Sequence, residues 1–291
     1  MIGLYHRGAR TGGGGRNIRL RIGSAVVLAP LVLAAAYAGG RVFLGLCAVA
    51  SAGILWEWTR LVTGRSNPRL LGAGGAALVA ALALVGLGDP GAAFIVIGAG
   101  AALAGTIAAV GSARRTGWRG ALWAAGGVLY AGVAFLGPAL LRRDAELGFR
   151  AFLFLAASVW MTDVCAYAVG RTVGGPLLWP RVSPNKTWAG AIGGLVGGGA
   201  GGLVVAYAGG TGGLAVVGVI ALVLSAIAQA GDLFESAVKR RFGAKDSSQL
   251  IPGHGGLMDR LDGFLVAALT ALAIGVLHQG TAAPAHGLLL W

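Results

Sequence analysis

The stretch GLAVVGVIALVLSAIAQAG, Gly213–Gly231, runs nineteen residues without a charge and is followed at once by Asp232. At about 1.5 Å per helical residue, such a run matches the hydrocarbon thickness of a bilayer. The segment directly after it is opposite in character. Residues 232–262 hold five of the chain's ten carboxylates, five of its 23 basic residues and one of its four histidines. Charge is costly near lipid, so a dense polar segment beside an apolar run points to function.

Working outward, similar apolar runs recur along all 291 residues. The chain is 56% hydrophobic and 11% charged, with mean hydropathy +0.78. This pattern predicts an all-α, polytopic transmembrane helix bundle. Spans are expected near 22–38, 42–59, 70–87, 91–110, 121–141, 151–169, 188–207, 213–231 and 263–277. That makes about nine, with eight or ten as the neighbouring counts. The chain divides into three regions: a basic, glycine-rich tail over 1–21, N-terminal transmembrane helices over 22–150, and C-terminal transmembrane helices over 151–291 that carry the polar motifs. Pro30 is expected to kink the first span, which a membrane helix tolerates.

The net charge of +13 comes from basic residues clustered at span ends. Such clustering sets topology and meets anionic membrane lipids; it does not suggest nucleic acid as a partner. With the N-terminus in the cytoplasm, 19 basic residues fall on the cytoplasmic side and four, Arg41, Arg142, Arg143 and Arg150, on the other. The bias puts both long polar loops in the cytoplasm, at a cell (inner) membrane. Gly190, Gly194, Gly198 and Gly202 share one helix face, as close helix packing requires.

Asp232, Glu235, Ser236 and Lys239 are spaced to form one polar stripe on a helix, beginning where the apolar run ends. Glu235 and Lys239 suit a local ion pair, whereas a carboxylate as deep as Asp232 calls for a cation. The loop 241–258 is glycine-rich and flanked by Lys239, Arg240, Arg241 and Lys245. Its glycines admit turns and let backbone N–H groups approach phosphate oxygens, which would suit a nucleoside triphosphate. Asp259 and Asp262 then share a face at the mouth of the last span. Capping explains one of them, not both. Oxygen-only ligands beside phosphates suit magnesium. Asp163 adds a carboxylate inside an apolar run, with Tyr167 one turn on. Ser183 or Asn185 is expected to cap the next helix. Glu57, between Trp56 and Trp58, reads as part of an interfacial anchor.

The pattern Ser236-x-Val238-Lys239-Arg240, Lys245-Asp246-x-Ser248, Ile251-Pro252-x-His254-Gly255-Gly256-x-Met258-Asp259-Arg260-Leu261-Asp262 resembles the signature of phosphatidate cytidylyltransferases, also called CDP-diacylglycerol synthases. Upstream, Asp163-x-x-Ala166-Tyr167, Gly170-Arg171 and Ser183-Pro184-x-Lys186-Thr187-Trp188 are similar to the same family, except that Asn185 and Ala189 stand where the family usually has lysine and glutamate. The resemblance covers about Val159 to Gly263. It implies transfer of CMP from CTP to phosphatidic acid, giving CDP-diacylglycerol and pyrophosphate, in phospholipid biosynthesis. It further implies that Asp232 and Asp259 hold a catalytic divalent metal, Mg2+. Asp262, Asp246 and Asp163 are then candidates for a second cation or for orienting basic groups. Lys239, Arg240, Lys245 and Arg260 would neutralise phosphates, His254 would shape the loop or donate to a phosphate, and Ser183 and Lys186 would touch lipid phosphate or nucleotide. The glycine face and the resemblance are both compatible with a homodimer. The rival reading is a transporter of an anionic or lipid-linked substrate. It is disfavoured by the one-sided polar cluster and by the lack of a long internal repeat.

Overall fold

The computed structural model of the chain describes residues 14–64, 66–111, 117–251 and 255–291, with side chains from residue 26 onward. Residues 1–13 with Arg7 and Arg10, as well as Arg65, Arg114, Arg115, Pro252 and His254, lie outside the described residues, as do the side chains of Arg16, Arg19 and Arg21.

In chain order the elements are α1 (Gly14–Ala38), α2 (Gly40–Thr63), α3 (Pro68–Leu87), α4 (Pro90–Gly111), α5 (Gly117–Arg142), α6 (Gly148–Thr172), β1 (Leu177–Trp179), β2 (Ser183–Thr187), α7 (Trp188–Ala208), α8 (Leu214–Arg241), α9 (Met258–Gln279) and α10 (Pro284–Leu289). Among the described residues eight helices, α2 to α9, are long and apolar enough to cross a membrane, and Val26–Ala38 in α1 is a shorter apolar helix. The protein is a multi-pass membrane protein with an all-α bundle. Large apolar side chains such as Leu87, Val110 and Leu277 face outward, as contact with lipid tails requires. Others, among them Ile54, Leu78, Leu136, Phe154, Leu224 and Leu265, fill the interior.

Helices α2 to α5 pack on one another, α6, α7 and α8 form a second set, and α9 lies against both α8 and α5. Turn chemistry separates them as the sequence suggests. Gly64 and Gly88 close α2 and α3 in the left-handed region, while Asn67 caps α3, accepting from Arg69 N and Leu70 N with Pro68 at the first position. Neither Ser183 nor Asn185 caps α7, contrary to expectation. Both belong to β2, which pairs antiparallel with β1, and the capping oxygen is Thr187 Oγ1, accepting from Gly190 N at 3.1 Å. Strands of three and five residues are too short for periodicity to reveal.

The glycine face of α7 lies against α6 of the same chain and so offers no surface to a second copy. A Cβ at Gly194 would stand 3.0 Å from Thr162 O, and one at Gly198 would overlap Thr162 Oγ1 and stand 2.7 Å from Ser158 O. The contact is sealed by polar bonds: Thr162 Oγ1 donates to Ser158 O, and it lies 2.6 Å from Ser225 Oγ of α8. Gly198→Val is therefore expected to destabilise the protein by about 1–3 kcal/mol, the usual cost of overpacking. A thermal melt in detergent micelles checks this against Gly212→Ala, where a Cβ meets open space.

Three of the four arginines on the sparsely charged side find a structural explanation. Arg142 donates to Ala36 O and Tyr37 O at the end of α1, and Arg150 donates to Gly209 O at the end of α7. Arg143 comes beside Gly88, where α3 ends. Arg142 and Arg150 thus bring positive charge to carbonyls at the negative end of a helix dipole, and Arg143 lies near such an end. Beside them Asp144 accepts from Glu146 N and Leu147 N in the turn that leads into α6, and also meets His286 Nδ1 at 2.8 Å.

Candidate active site

Helices α8 and α9 meet where two glycines face each other's backbone. A Cβ at Gly231 would stand 2.9 Å from Asp262 O, and one at Gly263 would stand 2.7 Å from Ala228 O. The next residue on α8 is Asp232, and the preceding residue on α9 is Asp262. Close backbone approach thus brings two carboxylates together, and Glu235 joins them from one turn along α8. Ligand oxygens of Asp232, Glu235 and Asp262 all lie within 4.8 Å of one another.

This is not the pairing expected from the sequence, which makes Asp232 and Asp259 the metal ligands. Asp259 sits one turn before Asp262, and its oxygens are occupied by the protein. Its Oδ1 lies 2.5 Å from Lys239 Nζ. Its Oδ2 accepts from Ser247 N at 3.0 Å and Gly256 N at 2.8 Å, and lies 2.9 Å from Ser247 Oγ. Asp259 therefore ties the loop after α8 to the start of α9, while Asp262 completes the trio.

Two lysines partly balance these groups. Lys186, carried in by β2, forms an ion pair with Asp232 Oδ2. Lys239 is buried, and its ammonium lies between Asp259 and Glu235 Oε2, at 2.5 and 2.7 Å. In this arrangement it holds two carboxylates in place. Four carboxylates thus face two ammonium groups. Glu235 is 1% exposed, and its Oε1 has no hydrogen-bond partner among the described residues. A buried carboxylate oxygen without a donor calls for a cation. The donor set is oxygen only, which fits Mg2+.

Around the trio lie further charges. Asp163 on α6, expected to be enclosed in its apolar run, is exposed and lies within electrostatic reach of Asp232, Lys186 and Arg260. Ser236 Oγ donates to Asp232 Oδ1 at 3.4 Å. Arg240 is exposed and donates to Ala244 O, while Lys245 and Asp246 border a cavity of about 870 Å³ with Trp56, Arg60 and Ser248. Ser183 is half-buried in β2, which pairs with β1.

Sequence alone does not give three residues their place in this region. Glu235 suggests mainly a local ion pair with Lys239, which does form. Tyr130 on α5 has a buried hydroxyl with no partner among the described residues and lies within electrostatic reach of all three carboxylates. It stacks on Trp58, whose Nε1 donates to Trp123 O. Glu57 is the larger correction. It is no interfacial anchor, because it is fully buried and accepts hydrogen bonds from the loop that precedes α9. Its aromatic neighbours suggest a membrane boundary, and nothing local discloses a partner about 190 residues away.

The profile of the cytidylyltransferase family matches residues 19–278. The chain is 42% identical over 268 residues to a phosphatidate cytidylyltransferase of Brucella suis biovar 1, covering 90% of this chain and 94% of that protein. A phosphatidate cytidylyltransferase of Brucella melitensis is 41% identical over the same shares. One of Staphylococcus saprophyticus is 40% identical over 139 residues, 47% of this chain and 52% of that protein.

Proposed function

The chain belongs to the cytidylyltransferase family, and on that premise we propose that it transfers CMP from CTP to phosphatidate, forming CDP-diacylglycerol and pyrophosphate, around Asp232, Glu235 and Asp262. The observation that carries this reading is the trio itself, three converging carboxylates at the polar end of α8 with two lysines beside them.

In the reaction a phosphate oxygen of phosphatidate bonds to the α-phosphorus of CTP as the bond from that phosphorus to the departing pyrophosphate breaks. The second pKa of a phosphate monoester is about 6, so the nucleophile is largely a dianion near neutral pH. No strong general base is needed, and His254 is not required to act as one. The difficulty is repulsion between two anions, which fixed positive charge relieves. Magnesium held by Asp232, Glu235 and Asp262 would supply such charge when bound.

The protein's own groups then divide the work. Lys186 restrains Asp232 from one side, and Lys239 restrains Glu235 and Asp259 from the other. Arg60, Lys245 and Ser248 border the 870 Å³ cavity, which is of a size and polarity to receive the nucleotide. Arg260, which like Lys186 lies within electrostatic reach of Asp163, would offset charge on the remaining substrate phosphate. The excess of arginine and lysine on this side supports an active site facing the cytoplasm at the inner membrane.

Purified full-length protein supplied with CTP, phosphatidate and Mg2+ is expected to form CDP-diacylglycerol, detected by mass spectrometry, and to stop when EDTA is added. Protein that never turns over yet moves phosphatidate across a liposome bilayer would overturn the assignment in favour of the transporter.

A further inference from the structure

Helix α9 delivers Asp259 and Asp262, yet its own N-cap residue, Leu257, makes no side-chain capping bond. The first N–H groups of any α-helix lack partners within it. Here the partners come from α2. Glu57 Oε1 accepts from Leu257 N at 2.8 Å, and Oε2 accepts from Met258 N at 2.7 Å. The same two oxygens accept from Ser248 Oγ at 2.6 Å and Ser247 Oγ at 3.1 Å. All four donors are neutral. A fully buried carboxylate is tolerable with such a set, because charge-assisted bonds are strong and the positive end of a helix dipole favours an anion.

The sequence around the carboxylate is shaped to admit it. A Cβ at Gly256 would overlap Ser247 Oγ and stand 2.6 and 2.8 Å from the two Glu57 oxygens. On α2, Gly53 faces Leu257, where a Cβ would stand 3.0 Å from Leu257 Cδ2. Ser247 Oγ lies 3.1 Å from Glu57 Oε2 and 2.9 Å from Asp259 Oδ2, so its one hydroxyl hydrogen is shared between the two carboxylates. A continuous chain of polar contacts results: Glu57, Ser247, Asp259, Lys239, Glu235.

We infer that Glu57 is a positioning residue for the transfer reaction: it caps α9 across space and clasps Ser247 and Ser248, thereby fixing the rotation of α9 that points Asp262 at Asp232 and Glu235. It touches none of the reacting atoms. In this scheme the N-terminal helices carry more than a membrane anchor, because α2 sets the geometry of a site built on α8 and α9. The inference rests on the cytidylyltransferase reading, and its test separates the two.

Wild-type protein is assayed first; absence of turnover there counts against the function, not against Glu57. Given wild-type turnover, Glu57→Gln keeps the size of the side chain but replaces an acceptor oxygen with a donor facing Met258 N and the Ser247 hydroxyl. Its kcat, per folded protein counted by size-exclusion chromatography, is expected to fall at least about tenfold, with the KM for phosphatidate changed less than about threefold. Gly256→Ala, which crowds the same carboxylate from the opposite side, is expected to reproduce that split. Ser247→Ala combined with Glu57→Gln should cost much less than the product of the single losses, since both act through one contact. Glu57→Gln and Gly256→Ala retaining kcat within twofold of wild type would overturn the inference. So would losses that vanish once only folded protein is counted, or a double variant whose losses simply multiply.

Discussion

Asp262→Asn is expected to lower CDP-diacylglycerol formation by about 10²–10³-fold, the scale seen when one preorganised electrostatic group is removed from a charge-stabilising site. The fold should survive, because asparagine is nearly isosteric and the Asp262 carboxylate accepts a bond from the adjacent Gly263 N that an amide oxygen can also accept. Two readouts go with the rate. Manganese binding to the purified protein, followed by electron paramagnetic resonance, should weaken in Asp262→Asn. It should be unchanged in Glu146→Gln, at the opposite end of the bundle beside His286. Asp259→Asn distinguishes the two aspartates. With its oxygens engaged by Lys239, Ser247 and Gly256, Asp259 should affect turnover with little change in manganese affinity. Loss of manganese binding in Asp259→Asn, with Asp262→Asn unaffected, would return the ligand role to Asp259.

Lys239→Met should have the largest effect on stability. The residue is 9% exposed, and its ammonium sits between Glu235 and Asp259. Removing one member of a buried ion pair leaves an uncompensated charge and typically costs about 3–5 kcal/mol. For a domain of this size that corresponds to a drop of about 10 °C in the thermal midpoint. Here two carboxylates lose their partner at once, next to Asp232 and Asp262. The melt is best run in detergent with and without Mg2+, and added Mg2+ should restore part of the loss. A midpoint within about 2 °C of wild type would show that Lys239 is not the counter-charge the geometry implies.

The spans are legible in the sequence because about twenty uncharged residues in a row have few other uses. The eight long helices match the expected runs closely, with α8 and α9 extended to include the polar residues at their ends. Spacing along one helix is legible too: Asp232, Glu235 and Lys239 form the stripe their positions imply, and Glu235 does meet Lys239. Contacts between helices are harder to read. Whether Asp259 or Asp262 faces Asp232 depends on how α9 is rotated against α8, while Gly231 and Gly263 set only how closely the two backbones approach, at Asp262 O and Ala228 O. Either aspartate fits the spacing equally well. The role of Glu57 lies further out of reach, because its partners on the loop and α9 come near only when the whole bundle closes. The glycine stripe of α7 is a packing face, as its spacing implies, but spacing cannot say that the neighbour is α6 of the same chain.

The length of α8 has a consequence for kinetics. From Leu214 to Asp232 the helix rises about 27 Å, close to the thickness of the hydrocarbon layer, so the carboxylates stand near the level of lipid headgroups. A phosphatidate molecule would reach them by sliding sideways within its leaflet, and its product would depart the same way. Turnover should then track the mole fraction of phosphatidate in the bilayer, and diluting the lipid with inert phosphatidylcholine should slow the enzyme even at constant bulk concentration.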